Sequence, residues 1–243
     1  MTKDENKISL IIPVYNESES ISLLIDEIKQ VMILNKFNYE IIVVNDGSKD
    51  ATYRVLKDLS NKIKELIVIN LRKNYGQTAA LAAGFDNSSG EIVIALDGDL
   101  QNDPNDIPSL IKGIYDGYDL VCGWRFNRKD KLIDRRIPSK IANKIIGAVT
   151  GIYLHDYGCS LKAFKREIID DIKLYGELHR FLPVLADNEG AKIMEMKVNH
   201  RSRKFGSSKY GIDRTFRVLM DLLTVWFMNK FLTRPMYVFG FIG

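Results

Sequence analysis

Three aspartates crowd into residues 94–104, IALDGDLQNDP, directly after an apolar run. Asp97, Asp99 and Asp103 are separated only by a glycine, a leucine and two amide side chains. Carboxylates this close repel one another, so a turn must expose them, a cation must neutralise them, or one must stay protonated. A divalent ion is one such cation, since Mg²⁺ or Mn²⁺ commonly bridges one or two carboxylates to substrate phosphates. On that reading Asp99 holds the ion, Gln101 joins its coordination sphere, and Asp97 touches the sugar or nucleoside part of a ligand. Gly98 permits a turn or a close approach of backbone to ligand. The alternative is plain loop chemistry, because Asp, Asn, Gly and Ser also favour turns and helix caps.

The elements that would position these residues alternate along the chain. Short apolar runs, KISLIIPVY, YEIIVVNDGS, ELIVINL, EIVIALDGD and YDLVCGW, are separated by helix-like stretches such as ESISLLIDEIKQVM and PNDIPSLIKGIYDG. This order predicts βαβ units and a mostly parallel sheet covered on both faces. Right-handed crossovers place the strand C-termini along one edge, where open α/β sheets bind ligands. Residues Pro13 to Glu17, Asn45 to Ser48, Arg72 to Asn74 and Asp97 to Asp99 become neighbours, so Glu17, Asp46, Asp97 and Asp99 meet on one rim. Beyond Lys144 the alternation weakens: a helix is expected from Ile137 to Thr150, a helical stretch around HRFLPVLADNEG, and a strand in AKIMEMKVNH.

Composition narrows the function classes. The 243 residues are 46% hydrophobic and 27% charged, enough for a sizeable core rather than disorder. A net charge of +4 does not imply nucleic-acid binding, but the cations cluster: eight Lys or Arg against two Asp from Gly123 to Lys144, and six against one from Asn199 to Arg217. No G-x-G-x-x-G follows the first strand and no G-x-x-x-x-G-K-[ST] occurs, arguing against a dinucleotide-binding dehydrogenase and a P-loop NTPase. Without H-E-x-x-H or a cysteine cluster, zinc chemistry is disfavoured too. Cys122 and Cys159 read as reduced thiols, and His155, His179 and His200 as surface or packing residues. The N-terminus MTKDENKISL lacks the apolar core of a signal peptide, so the chain is expected to start in the cytoplasm.

The series IIPVYNE, EIIVVNDGSKDAT, RKNYGQTAALAAGFDNSSG, ALDGDLQNDP, GYDLVCGWRFNR and RKFGSSKY resembles family 2 glycosyltransferases of the GT-A (Rossmann-like) fold. Within the family it is most similar to the polyprenyl-phosphate group. The resemblance implies an inverting transfer of a sugar from a nucleotide-sugar donor, UDP-glucose or similar with GDP-mannose as an alternative, to polyprenyl phosphate. A saccharide acceptor and a non-catalytic Mg²⁺-binding module are the competing readings. It further implies that Pro13, Tyr15, Glu17 and Asp46 line the nucleoside pocket and that Asp97 touches the donor. Asp99 and Gln101 hold Mg²⁺ or Mn²⁺ against the diphosphate, so that a cation neutralises the cluster. Arg125, Arg135 and Ser139 match positions that hold the acceptor phosphate, while Arg203 and Lys209 match a loop that closes over the donor. The chain departs from the family's frequent G-D-F-R run near residue 158, reading DYGCSLK from Asp156.

The resemblance divides the chain into a catalytic domain, 1–211, and a juxtamembrane segment, 212–243. Ile212 to Leu232 is apolar but contains Arg214, Arg217, Asp221 and Lys230, which suits an amphipathic helix at a membrane surface better than a buried span. The apolar stretch after Arg234-Pro235 reads as the start of a transmembrane helix. The expected location is the cytoplasmic face of the membrane, with homo-oligomerisation left open.

Overall fold

The computed structural model describes residues 6–126 and 137–205, together with 220, 222–224 and 226–227; within the helix spanning 137–150, side chains are described from Ala142 onward. One seven-stranded sheet organises them. Its strands are β1 (Ile8–Val14), β2 (Tyr39–Asn45), β3 (Leu66–Asn70), β4 (Ile92–Ala95), β5 (Leu120–Arg125), β6 (Lys162–Lys165) and β7 (Ile193–Val198), in the spatial order β3-β2-β1-β4-β6-β5-β7. The helices are α1 (Ile21–Leu34), α2 (Thr52–Ser60), α3 (Gln77–Asp86), α4 (Ile107–Tyr115), α5 (Ile137–Thr150), α6 (Arg166–Asp171) and α7 (Leu182–Asn188).

Period-two alternation splits the sheet into two faces. Ile8, Leu10, Ile12, Ile41 and Val43 join α1 and α4 in one buried cluster, through Leu24, Ile28, Leu110 and Ile111. Ile11, Ile42 and Val44 face the other way, into a cluster with Ala80 and Leu81 of α3, Ile168 of α6 and Leu182 of α7. A third cluster sits beside the sheet, where Ile146 of α5 and Val184 of α7 meet Tyr157, Phe181 and Leu222. Leu222 thereby ties the described part of the C-terminal segment to the body, while Met220, Leu223 and Trp226 are exposed. Among the described residues no helix is long and apolar enough to cross a membrane. Most of the predicted amphipathic segment, and all of the expected transmembrane start, lies outside the described residues.

The sheet is mostly parallel, as expected, with one reversal. Strand β6, in a stretch where the sequence pattern marked no strand, runs antiparallel between β4 and β5, pairing Ala95 with Lys162 and Cys122 with Lys162. Strands β5 and β7 are parallel to each other. The ends of β1, β2, β3, β4, β5 and β7 therefore share an edge with the beginning of β6. The reversal brings the loop ahead of Lys162, from His155 to Leu161, onto the same rim as the aspartates.

Both cysteines are buried and unbonded. Burial pushes the Cys122 thiol up to about 12 and that of Cys159 up to about 11, which keeps both protonated and unreactive at neutral pH.

Candidate active site

Strand register sets the rim. Val14 pairs with Asn45 and Asn45 with Asn70, so three strands end level, and Leu96 donates its N–H to the Ile11 carbonyl at 3.1 Å as β4 runs out. Asp97 and Asp99 follow at once. Gly98 lies against β1: a Cβ there would stand 2.5 Å from Val14 Cγ1. The glycine is thus required by the close approach of two strands' exits. Next, Leu100 adopts φ 63°, a left-handed conformation that costs a branched residue roughly 1–2 kcal/mol, and its side chain is buried as the compensating contact. Across this kinked residue, Asp99 Oδ1 accepts the Gln101 N–H at 3.1 Å.

Each carboxylate meets a different partner. Asp97 accepts from Gln77 Nε2 at 2.8 Å, a residue delivered by the first turn of α3. Asp99 Oδ2 pairs with Arg203 Nη2 at 2.5 Å, and Nη1 of the same guanidinium lies 3.9 Å from Glu17 Oε1. Glu17 Oε2 accepts from Ser20 Oγ at 2.8 Å. Asp103 is held by Arg201 at 2.8 Å, which also reaches Glu27 at 2.6 Å. Burial, with the negative charge of Asp97 next and Arg203 opposing, raises the Asp99 carboxyl to about 6. The crowding is thus relieved by a cation and by a weakened tendency to ionise together.

Asp46 is buried, and its two oxygens accept the Tyr75 and Gly76 N–H groups at 2.7 and 2.9 Å. It therefore ties the exit of β2 to the turn that starts α3. That turn needs a φ of 96° at Gly76, a value suited to glycine. Pro13 and Tyr15 are half-buried on the same edge. Gln101 turns its amide Nε2 toward the Arg201 carbonyl at 3.4 Å.

On the far side of β4, Arg125 ends β5 and makes a two-bond fork with Asp156: Nε to Oδ2 at 2.7 Å and Nη2 to Oδ1 at 2.8 Å. Ser139 lies in the first turn of α5 with its side chain outside the described residues; Arg135 and Lys209 lie wholly outside them. The rim therefore brings together Pro13, Tyr15, Glu17, Asp46, Asp97, Asp99, Gln101, Arg125 and Arg203.

Sequence reasoning missed Gln77 and Asp156 as partners of the rim. The motif RKNYGQTAA carried a signal for the first, since a glycine before a helix marks a turn at the strand edge. Asp156 belongs to the stretch where the chain departs from its resemblance, and only the reversed strand β6 places it. Two of the histidines make specific contacts: His155 stacks on Trp124 with ring centroids 4.1 Å apart, and His179 Nδ1 lies 2.7 Å from Thr78 Oγ1.

The donor set suits a hard divalent cation that takes most of its ligands from substrate. Asp97 and Asp99 are two carboxylates close enough to repel each other, and the Arg203 guanidinium already stands in for positive charge between Asp99 and Glu17. The described residues contain no group of three or more His, Cys, Asp or Glu side chains able to hold an ion. One or two carboxylates completed by phosphate oxygens is the usual Mg²⁺ arrangement with nucleotide substrates.

A sequence model of the family described as Glycosyl transferase family 2 matches residues 9–173. Dodecaprenyl-phosphate galacturonate synthase of Rhizobium johnstonii is 45% identical over 241 residues, covering 98% of this chain and 71% of that protein. Undecaprenyl-phosphate 4-deoxy-4-formamido-L-arabinose transferase of Yersinia pestis is 39% identical over 238 residues, with 98% and 71% covered. Among solved structures, glucosyl-3-phosphoglycerate synthase of Mycobacterium tuberculosis with Mn²⁺, UDP and phosphoglyceric acid superposes with a TM-score of 0.72 at 20% identity, over 91% of this chain and 79% of that one. That last likeness concerns the fold.

Proposed function

Because the chain belongs to glycosyl transferase family 2, we propose that it moves a sugar from a nucleotide-sugar donor to the phosphate of a polyprenyl phosphate. The observation that carries the reading is the pair Asp97 and Asp99 at the end of β4, facing a cation on one side and the Arg125 guanidinium beyond. The relatives named for dodecaprenyl and undecaprenyl phosphate support the acceptor class. The 45% identical relative, named for galacturonate, makes a hexose or hexuronate the sugar to test first.

In this reading Pro13, Tyr15, Glu17 and Asp46 line the nucleoside pocket, with the Tyr15 ring against the base. Asp99 and Gln101 would hold Mg²⁺ or Mn²⁺, and Asp97 would touch the donor. The bound ion supplies Lewis-acid stabilisation of the charge that grows on the departing nucleoside diphosphate. Arg203 exchanges its Asp99 contact for the donor diphosphate, joined by Lys209. Arg125, Arg135 and Ser139 orient the acceptor, since guanidinium forks match phosphate geometry. A phosphate monoester is already anionic near neutral pH, so its oxygen attacks without a dedicated general base. Attack from the face opposite the leaving group inverts the anomeric centre. The enzyme works where its lipid acceptor is, at the cytoplasmic face of the membrane.

The test is thermal stability of the purified chain with UDP, GDP, CMP or dTDP, each with Mn²⁺ or EDTA. Ligand at a hundred times its dissociation constant adds about 2.7 kcal/mol, which is roughly 5–10 °C for a chain this long. A metal-dependent shift with one nucleotide is expected, followed by sugar transfer to a prenyl monophosphate. Metal-independent or absent shifts with all four would overturn the donor-site reading.

A further inference from the structure

Asp156 has no part in the transfer as proposed, yet it is buried and makes the closest contacts to Arg125 on the rim. The loop that carries it is fastened from three sides. Glu195 of β7 accepts the Asp156 N–H at 2.9 Å through Oε1 and the His155 N–H at 3.0 Å through Oε2. Lys162 Nζ donates to the carbonyls of Cys159 and Tyr157. Ser160 Oγ accepts from Asn102 Nδ2 at 2.8 Å, which links the loop to the segment just after Asp99. Gly158 completes the seat: a Cβ there would stand 3.1 Å from Arg125 Nη2.

This loop seats the Arg125 guanidinium, and the guanidinium has a second acid within electrostatic reach. Burial disfavours the charged Arg125, the fork and charge of Asp156 more than offset that, and Asp97 adds to the same field. A buried cation stripped of its partner is left uncompensated, which is strongly unfavourable. A further carboxylate acting on this guanidinium is Asp97, which the donor requires.

We propose that Asp156 is a positioning residue: by occupying Nε and Nη2 of Arg125 it keeps the guanidinium off Asp97 and leaves Nη1 for the acceptor phosphate. Donor-side acid and acceptor-side cation are thereby kept apart although only the start of β6 lies between their strand exits. The inference rests on the proposed roles of Asp97 and Arg125.

The experiment measures the affinity of the full chain for UDP with Mn²⁺, and for farnesyl phosphate with farnesol as the uncharged control. Wild type is compared with Asp156→Asn, Arg125→Met and the double variant. Asp156→Asn is expected to weaken both ligands about tenfold, a change worth about 1.4 kcal/mol each. In the double variant, UDP affinity returns to the wild-type value while farnesyl phosphate binding stays weak, because the misplaced guanidinium is gone. A merely structural role for Asp156 would not produce that recovery. Unchanged affinities in Asp156→Asn, or no recovery of UDP binding in the double variant, would overturn the inference. Arg125→Met binding farnesyl phosphate as wild type does would overturn the acceptor assignment, and this inference with it. Loss in Arg125→Met with none in Asp156→Asn overturns the inference alone. Should Asp156→Asn fail to fold, Gly158→Ala crowds Nη2 without removing charge. It is expected to weaken farnesyl phosphate severalfold and spare UDP, and unchanged farnesyl phosphate affinity would count against the seat.

Discussion

Asp99 is costly to the fold and, in the proposed function, a ligand of the metal. Its carboxyl is raised to about 6 from an ordinary value of 3.8, chiefly by burial and by Asp97. The folded state therefore binds more protons than the unfolded one between these values, and stability falls as pH rises through about 6. Asp99→Asn removes that ionisation. The ligand-free variant should melt at or a few degrees above wild type at pH 8, with the difference vanishing below pH 4, as scanning calorimetry across pH would measure. The same variant should lose the metal-dependent nucleotide shift, a trade of stability for function common at active sites. In wild type that shift should also fade as pH drops below about 6, because a protonated Asp99 is a poor metal ligand. A shift that persists undiminished at pH 5 would remove Asp99 from the metal's ligands.

The elements hold the rim in place by close contacts that tolerate little added volume. Helix α3 crosses β1 at Gly84, where a Cβ would stand 2.2 Å from Ile11 Cγ2. In an exposed helix Gly→Ala would gain up to about 1 kcal/mol. Here the methyl group overpacks a buried interface, so Gly84→Ala should instead destabilise by about 1–3 kcal/mol, seen as a lower denaturant midpoint. Because α3 also carries Gln77 to Asp97, nucleotide affinity should fall in the folded fraction as well. Gly98→Ala should be destabilising for the same reason against Val14. Strand periodicity made the parallel strands legible, since long apolar runs between helices have few other uses. The four residues of β6 were not legible, because so short a run has no period of its own and owes its place to pairing with β4 and β5.

For the whole molecule, the cations are concentrated in two segments, Gly123 to Lys144 and Asn199 to Arg217, whose first residues lie at the ends of β5 and β7 on the same sheet edge. A lipid acceptor requires the rim to approach a membrane surface, and clustered Lys and Arg are attracted to anionic headgroups. The chain is expected to co-sediment with vesicles containing anionic lipid and to be released substantially between 0.05 and 0.5 M salt, where screening shortens to a few ångströms. Equal binding to neutral vesicles, unaffected by salt, would assign the contact to apolar residues such as Met220, Leu223 and Trp226. On the opposite edge of the sheet Glu40 accepts from Lys7 at 2.5 Å and Ser9 at 2.6 Å. This buried carboxylate joins the starts of β1 and β2, so buried acid by itself does not mark a site in this fold.

Sequence alone determined the layered α/β plan and the rim of Glu17, Asp46, Asp97 and Asp99, because hydrophobic period and strand direction are local and crossover handedness is nearly fixed. It also named Arg125 and Arg203 through the residues around them. Tertiary structure alone decided which acid each cation meets. Arg203 pairs with Asp99 and Arg125 with Asp156 because a strand reversed at β6 and a chain returning after β7 bring together residues far apart in sequence. Side-chain charge fixes that a partner is needed, and only the path of the backbone fixes which one lies within reach.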